Sequence, residues 1–170
     1  MKATCDREAL RDGLAIVCSV IPTKSTKPIL SNVCLVATDD QVELVGTDQE
    51  VSVRFKLDKV DVAEPGPVVV PARTALDFVR DLSGETVTIS TDENRCTITS
   101  GEDSCDLVTA DADEFPVVPR FDETDSVGVQ GGNFNRLVGR TAFAAAKEPG
   151  RYAMHGVLTE LENDQLRLVA

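Results

Sequence analysis

At 170 residues with 42% apolar content, the chain is long enough for one full hydrophobic core and part of a second. No apolar run approaches the roughly 18 residues of a membrane-spanning helix, and the opening MKATCDREAL lacks the apolar stretch of a signal peptide, so a cytoplasmic protein is expected. A net charge of −12 argues, taken as a mean, against a nucleic-acid partner, which usually meets a basic footprint.

In chain order, an opening strand leads to a first helix that follows Asp6 as N-cap and carries Leu10, Leu14, Val17, Cys18 and Ile21 on one face. ILSNVCLVAT, QVELVGT and VSVRFKL are then short β-branched runs bounded by turn residues, and read as strands. PVVVP is a further strand. A second helix begins after Pro71 in ARTALDFVRDL and buries Ala72, Ala75, Leu76, Val79 and Leu82; TVTIS, RCTITS and DLVTA follow it as strands. ADADEFPVVPRFDETD, rich in Pro and Asp, reads as a linker. Beyond it come a strand, SVGVQ, and a third helix in NFNRLVGRTAFAAAK that aligns Phe134, Leu137, Val138, Thr141, Ala142 and Ala145. Two strands complete the chain, the second of them in LENDQLRLVA, where alternation continues with no turn or cap.

The order strand, helix, three strands therefore recurs, as an internal repeat of roughly 60 residues. The first and third copies align without a gap at an offset of 124: Asp40, Gln41, Leu44 and Val45 fall on Asp164, Gln165, Leu168 and Val169, and the apolar helix positions coincide. Two copies make a domain over residues 1–122. A third opens another at residues 123–170, and the position matching Thr47 is the first one missing, so the chain is expected to be a fragment of something longer.

The charges are separated by structural layer. The helices with the loops that follow them (6–28, 72–83, 131–153) hold ten Lys or Arg against six acids, whereas the strands and turns hold seven bases and 23 acids. Arg136, Arg140 and Lys147 recur opposite the apolar face of the third helix, and Arg73 and Arg80 sit seven apart on the outer face of the second. Arg7 and Arg11 flank the apolar face of the first, with Glu8 and Asp12 nearby. Such residues can simply solvate a helix; together with acidic sheets they suit a surface that faces a polyanion without gripping it.

Nothing in the sequence assembles a catalytic constellation. The sole histidine is His155, no Gly-rich loop follows a strand in phosphate-binding form, and Asp111, Asp113 and Glu114 lie in the linker. Cys5, Cys18, Cys34, Cys96 and Cys105 are odd in number, show no CxxC spacing and sit in apolar-periodic segments, so they read as small buried hydrophobes rather than as a metal or disulfide set.

Taken in order, MKATCDREAL, KPILSNVCL, ELVGTDQEVSV, VVVPARTALDFVRDL, ADEFPVVP, RYAMHGVL and LRLVA resemble the bacterial DNA sliding clamp, the beta subunit of DNA polymerase III. PIL, GTD and VPAR are each weak motifs, but their succession is specific and covers the chain from end to end. The resemblance implies an α+β DNA-clamp fold, with repeated strand-helix-three-strand units and helices on one side of antiparallel sheets. It also implies three domains per chain and a head-to-tail homodimeric ring around duplex DNA, read without regard to sequence. In the full-length protein the replicative polymerase and the clamp loader would be partners; no enzyme activity, cofactor, metal or membrane is implied.

Carried over residue by residue, the resemblance assigns DNA contact to Lys24, in the loop after the first helix, and to Arg73. In KEPGRYAMHG, Arg151 and Tyr152 match the family, while Glu148 and Ala153 stand where a polar amide and a second aromatic can occur. Tyr152 is equally a half-buried packing residue. The helix phase adds Arg7, Arg11, Arg80, Arg136, Arg140 and Lys147. Met154 matches one position of the pocket that binds partner peptides, or is a core methionine. SGEDSCDLV, with Glu102, Asp103, Cys105 and Leu107, matches the edge strand that meets the partner chain, although Glu102 and Asp103 fall where the family can be basic. The competing reading is an acidic protein-interaction module, a DNA mimic, whose function would survive neutralisation of Arg136, Arg140 and Lys147.

Overall fold

The computed structural model describes residues 1–121, 124, 126–146, 156–163 and 165–170, and divides into two compact units, Met1–Pro119 and Arg120–Ala170. In unit 1, strand β1 (Lys2–Asp6) runs directly into helix α1 (Arg7–Cys18). Asp6 stays extended while its carboxylate accepts the Ala9 N–H at 2.8 Å, satisfying one of the donors left open at a helix start. Leu10, Leu14, Val17 and Cys18 are buried along α1, and Ile21 just past its end, as the spacing predicts.

A 3-10 turn over Pro28–Ser31 leads to a meander of β2 (Asn32–Ala37), β3 (Val42–Thr47) and β4 (Ser52–Leu57). Strand β5 (Asp61–Glu64), too short and charged to stand out in the sequence, and β6 (Gly66–Pro71) form one run broken at Pro65. Gly66 turns that corner at a φ of +146°, which a side chain would oppose. Helix α2 (Ala72–Asp81) follows Pro71 and precedes β7 (Thr86–Asp92), β8 (Arg95–Ser100) and β9 (Asp103–Val108).

These strands make two antiparallel sheets, ordered β5-β1-β7-β8-β9 and β4-β3-β2-β6. The strand before each helix crosses into the sheet of the other repeat: β1 pairs with β7, and β6 with β2. One core results, in which α1 and α2 pack against each other and against the inner faces of both sheets. The sheet containing β3 is also covered on its other face, where Cys34, Val45 and Val69 meet Val118, Ala112 and Phe115. All six residues of β3 are consequently buried. The first half of the expected linker, residues 110–118, is thus packed onto unit 1; Ala110 N–H donates to the Val69 carbonyl at 2.9 Å.

Unit 2 contains helix α3 (Gly131–Thr141), a 3-10 turn over Ala142–Ala144, and a hairpin of β10 (Leu158–Glu162) and β11 (Gln165–Val169). The offset of 124 holds to the residue in the hairpin: Cys34 opposite Val45 and Leu35 opposite Leu44 become Leu158 opposite Val169 and Thr159 opposite Leu168. Two expectations fail here. The helix starts at Gly131 and ends at Thr141, whose hydroxyl donates back to the Leu137 carbonyl at 3.0 Å. SVGVQ is not a strand: among the described residues, the strands of unit 2 are β10 and β11 alone. Among the described residues, no helix is long and apolar enough to cross a membrane.

Candidate nucleic-acid interface

The outward faces of α1 and α2 lie side by side, since the two helices pack along each other over the core. Burial raises the pKa of the Cys18 thiol near the end of α1, and the Arg73 guanidinium of α2 works against that rise, which puts the start of α2 within electrostatic reach of the end of α1. Lys24 follows in the exposed turn after α1.

The cations of this layer are not equivalent. Arg7 is mostly buried, with its Nε enclosed and its Nη2 3.5 Å from Glu8. Arg11 lies 2.8 Å from Asp12 and 3.7 Å from Glu8, and Arg80 lies 3.6 Å from Asp77. Among the described residues, Arg73 and Lys24 have no ion pair, and both are exposed. A cation without an ion-pair partner keeps its charge available to an anion, so Lys24 and Arg73 are more available than Arg11 and Arg80, and Arg7, enclosed and paired, is the least so.

On unit 2, Arg136 and Arg140 stand one turn apart on an exposed face of α3, a helix without a single acid. Arg136 donates to the Asn133 side chain at 3.3 Å. Two guanidinium groups at this spacing can follow successive phosphates without reading bases. Lys147, Arg151, Tyr152 and Met154 lie outside the described residues, as does His155.

β9 is the edge strand of its sheet, as expected. Leu107 points into the core and is buried, and Cys105 packs partly against the same core, so neither leads an outward face. Glu102 and Asp103 are exposed beside Gly101 at the tight turn. The outward residues of β9 are Ser104, Asp106 and Val108. Asp106 is held by Thr97 and Arg95, both at 2.8 Å, and hydrogen bonding from Thr97 lowers its pKa. The alternation in DSCDLV carries this signal: with Leu107 inward, Asp106 and Val108 must face out.

All five cysteines are free, and among the described residues no group of three His, Cys, Asp or Glu side chains could hold a metal. Burial pushes the thiols of Cys34 and Cys96 up to about 11, and that of Cys5 to about 12. Such thiols are poor nucleophiles and act as core atoms.

Comparison with known proteins places this geometry. Residues 1–119 match the family model described as the DNA polymerase III beta subunit, N-terminal domain. The chain is 35% identical over 171 residues to the beta sliding clamp of Pseudomonas aeruginosa, covering 100% of this chain and 47% of that protein. It is 32% identical to the beta sliding clamp of Escherichia coli K12 with the same coverage. Among solved structures, the DNA polymerase III subunit beta of Pseudomonas aeruginosa superposes with a TM-score of 0.90 at 34% identity, over 100% of this chain and 46% of that one. The DNA polymerase sliding clamp of Bacillus subtilis gives 0.91 at 28% identity, over 99% and 46%. The chain spans about half the length of the relatives it matches.

Proposed function

Because the chain belongs to the family of the DNA polymerase III beta subunit, we propose that it serves in a sliding clamp, a ring that encloses duplex DNA and tethers the replicative polymerase for processive synthesis. The observation that carries this reading is the placement of charge. Exposed Lys24 and Arg73 lie on the helix layer of unit 1 and exposed Arg140 on α3 of unit 2, without acid partners among the described residues, while most acids lie on strands and turns. A layer of this kind holds a polyanion loosely and tolerates sliding, and enclosure supplies the retention that weak contacts do not. The role is topological rather than catalytic, is exercised in the cytoplasm and needs no cofactor.

Within this reading residues 1–122 are the first clamp domain and residues 123–170 open the second. The exposed edge of β9 is the seam toward a second copy, where Glu102 and Asp103 require a basic complement. Polymerase and clamp loader are the protein partners.

The test is retention. The native protein, loaded on circular duplex, should stay bound at a salt concentration that removes it from the same DNA after linearisation, and two unrelated sequences should be held equally. Equal loss from both forms, or no duplex binding at low salt, would instead support an acidic module that binds protein.

A further inference from the structure

Four core-facing positions where β8 meets β9 form a quadrilateral, set by the register Cys96 opposite Leu107 and Ile98 opposite Cys105. Cys96, Ile98 and Leu107 are 0%, 3% and 4% exposed, and Cys105 packs against the same core while remaining partly exposed. The two thiols therefore occupy one diagonal of that quadrilateral, on one face of two adjacent strands. Cys5, Cys18 and Cys34 lie on β1, α1 and β2 and are buried.

Electrostatics agree that the sulfurs are close. Burial pushes the Cys96 thiol up to about 11, Cys105 adds to the rise, and the Met1 ammonium opposes it. That ammonium is fixed, donating to Thr91 Oγ1 at 2.7 Å, and Thr91 stands opposite Cys96 in the β7–β8 ladder. The two thiols differ in access: Cys105 can meet a solute, whereas Cys96 is sealed in the core with a cation nearby to favour its thiolate. Diagonal neighbours on an antiparallel pair stand roughly 7–8 Å apart at Cα, and a disulfide spans about 4.4–6.8 Å, so a bond draws the strands together by ~1 Å. β9 is the end strand of its sheet and ladders to β8, so it can make that shift without breaking a second ladder.

We infer that Cys96 and Cys105 form a peroxide-responsive dithiol, in which Cys105 takes the oxidant and Cys96 resolves it into a reversible disulfide across the end of the sheet. In the first step the Cys105 sulfur attacks hydrogen peroxide: the O–O bond breaks, an S–O bond forms, and the thiol proton leaves with the other oxygen as water. In the second, the Cys96 sulfur displaces the hydroxyl of the Cys105 sulfenic acid, the S–S bond forms, and the hydroxyl departs with the Cys96 proton as a second water. Two electrons thereby pass from the thiols to the peroxide. Cys96 is a poor nucleophile toward a dilute solute, but the sulfenic acid is held beside it on the adjacent strand, and proximity replaces reactivity. A bond that must pull its strands together is easily reduced again, which is the character of a regulatory disulfide rather than a structural one. This inference concerns unit 1 and does not depend on the clamp reading.

Non-reducing peptide mapping by mass spectrometry tests it, on the 170-residue chain treated with hydrogen peroxide, then unfolded and alkylated. Glu102 and Asp103 lie between the two cysteines, so a protease that cuts at acids separates them. The expected product is two peptides held by one Cys96–Cys105 bond, lighter by two hydrogens and released by dithiothreitol, with Cys5, Cys18 and Cys34 alkylated. In Cys96→Ala, Cys105 should stop at a sulfenic acid that dimedone traps; in Cys105→Ala, Cys96 should stay reduced. A wild-type chain in which both thiols survive the peroxide overturns the proposal. So does Cys105 oxidised to the sulfinic acid beside an alkylated Cys96, or a disulfide joining Cys105 to any other cysteine. The wild-type map decides the matter by itself if either variant fails to fold.

Discussion

The Arg54 guanidinium lies 3.0 Å from the Glu43 carboxylate, diagonally across the β3–β4 pair, and also donates to the Val118 carbonyl at 2.5 Å. One side chain thereby neutralises a buried acid and fastens residues 110–118 to the sheet. Arg54→Ala should destabilise unit 1 by about 2–3 kcal/mol in chemical denaturation, somewhat below the usual loss for a broken buried pair because Arg54 is partly exposed. Arg54→Lys should recover only part of this, because an ammonium lacks the planar fork that reaches carboxylate and carbonyl together. A loss within ~0.5 kcal/mol, the ordinary range for a surface site, would show that the pair is not a stabilising element.

Gly46 on β3 lies against the Val17 side chain of α1, with no room for a Cβ. A Cβ there would meet Val17 Cγ1 at 2.4 Å and Ile21 at 3.1 Å. Gly46→Ala should cost about 1–3 kcal/mol by overpacking, and the Val17→Ala background should absorb part of that cost. Strict additivity of the two changes would place the strain elsewhere.

Asp48 caps the β3–β4 turn, accepting the Val51 N–H at 2.6 Å and the Glu50 N–H at 2.9 Å. These bonds lower its pKa below the ordinary carboxylate value, the Val51 bond most. A depressed folded-state pKa stabilises the fold above the unfolded value of about 3.9, and the contribution disappears as pH falls through the folded value. Asp48→Asn should therefore flatten the acid limb of the stability profile while changing the limb above pH ~6 little in shape. Parallel acid limbs for wild type and variant would count against the turn as its source.

For duplex DNA, Lys24→Ala and Arg73→Ala should each reduce the slope of log affinity on log salt by about 0.9, the value for one released counterion per phosphate. Arg11→Ala, already neutralised by Asp12 and Glu8, should change it far less. Titration against two unrelated duplexes would read this, and an Arg11 effect equal to that of Arg73 would reverse the ranking of these cations.

Much of the fold was legible in the residues. Asp6 before a 3.6-residue apolar period, Pro71 before another, and short β-branched runs between turn residues each state a local preference that the packed structure keeps. The 124-residue offset was legible too, and the register of the β10–β11 hairpin keeps it. The candidate interface was legible as charge phase on helices, but not as a ranking. Glu8 and Asp12 set Arg7 and Arg11 apart from Arg73 in sequence, but only the structure distinguishes an enclosed, a paired and an open guanidinium.

Local pattern and charge order, then, belonged to the sequence alone, since period, caps and turn chemistry act over a few residues. Tertiary structure decided which strand each leading segment joins, that Leu107 faces the core, that residues 110–118 cover a sheet, and that SVGVQ stays out of strand form. A strand exists only where a neighbour accepts its backbone hydrogen bonds, and that neighbour is supplied by a distant repeat, beyond the reach of any local pattern.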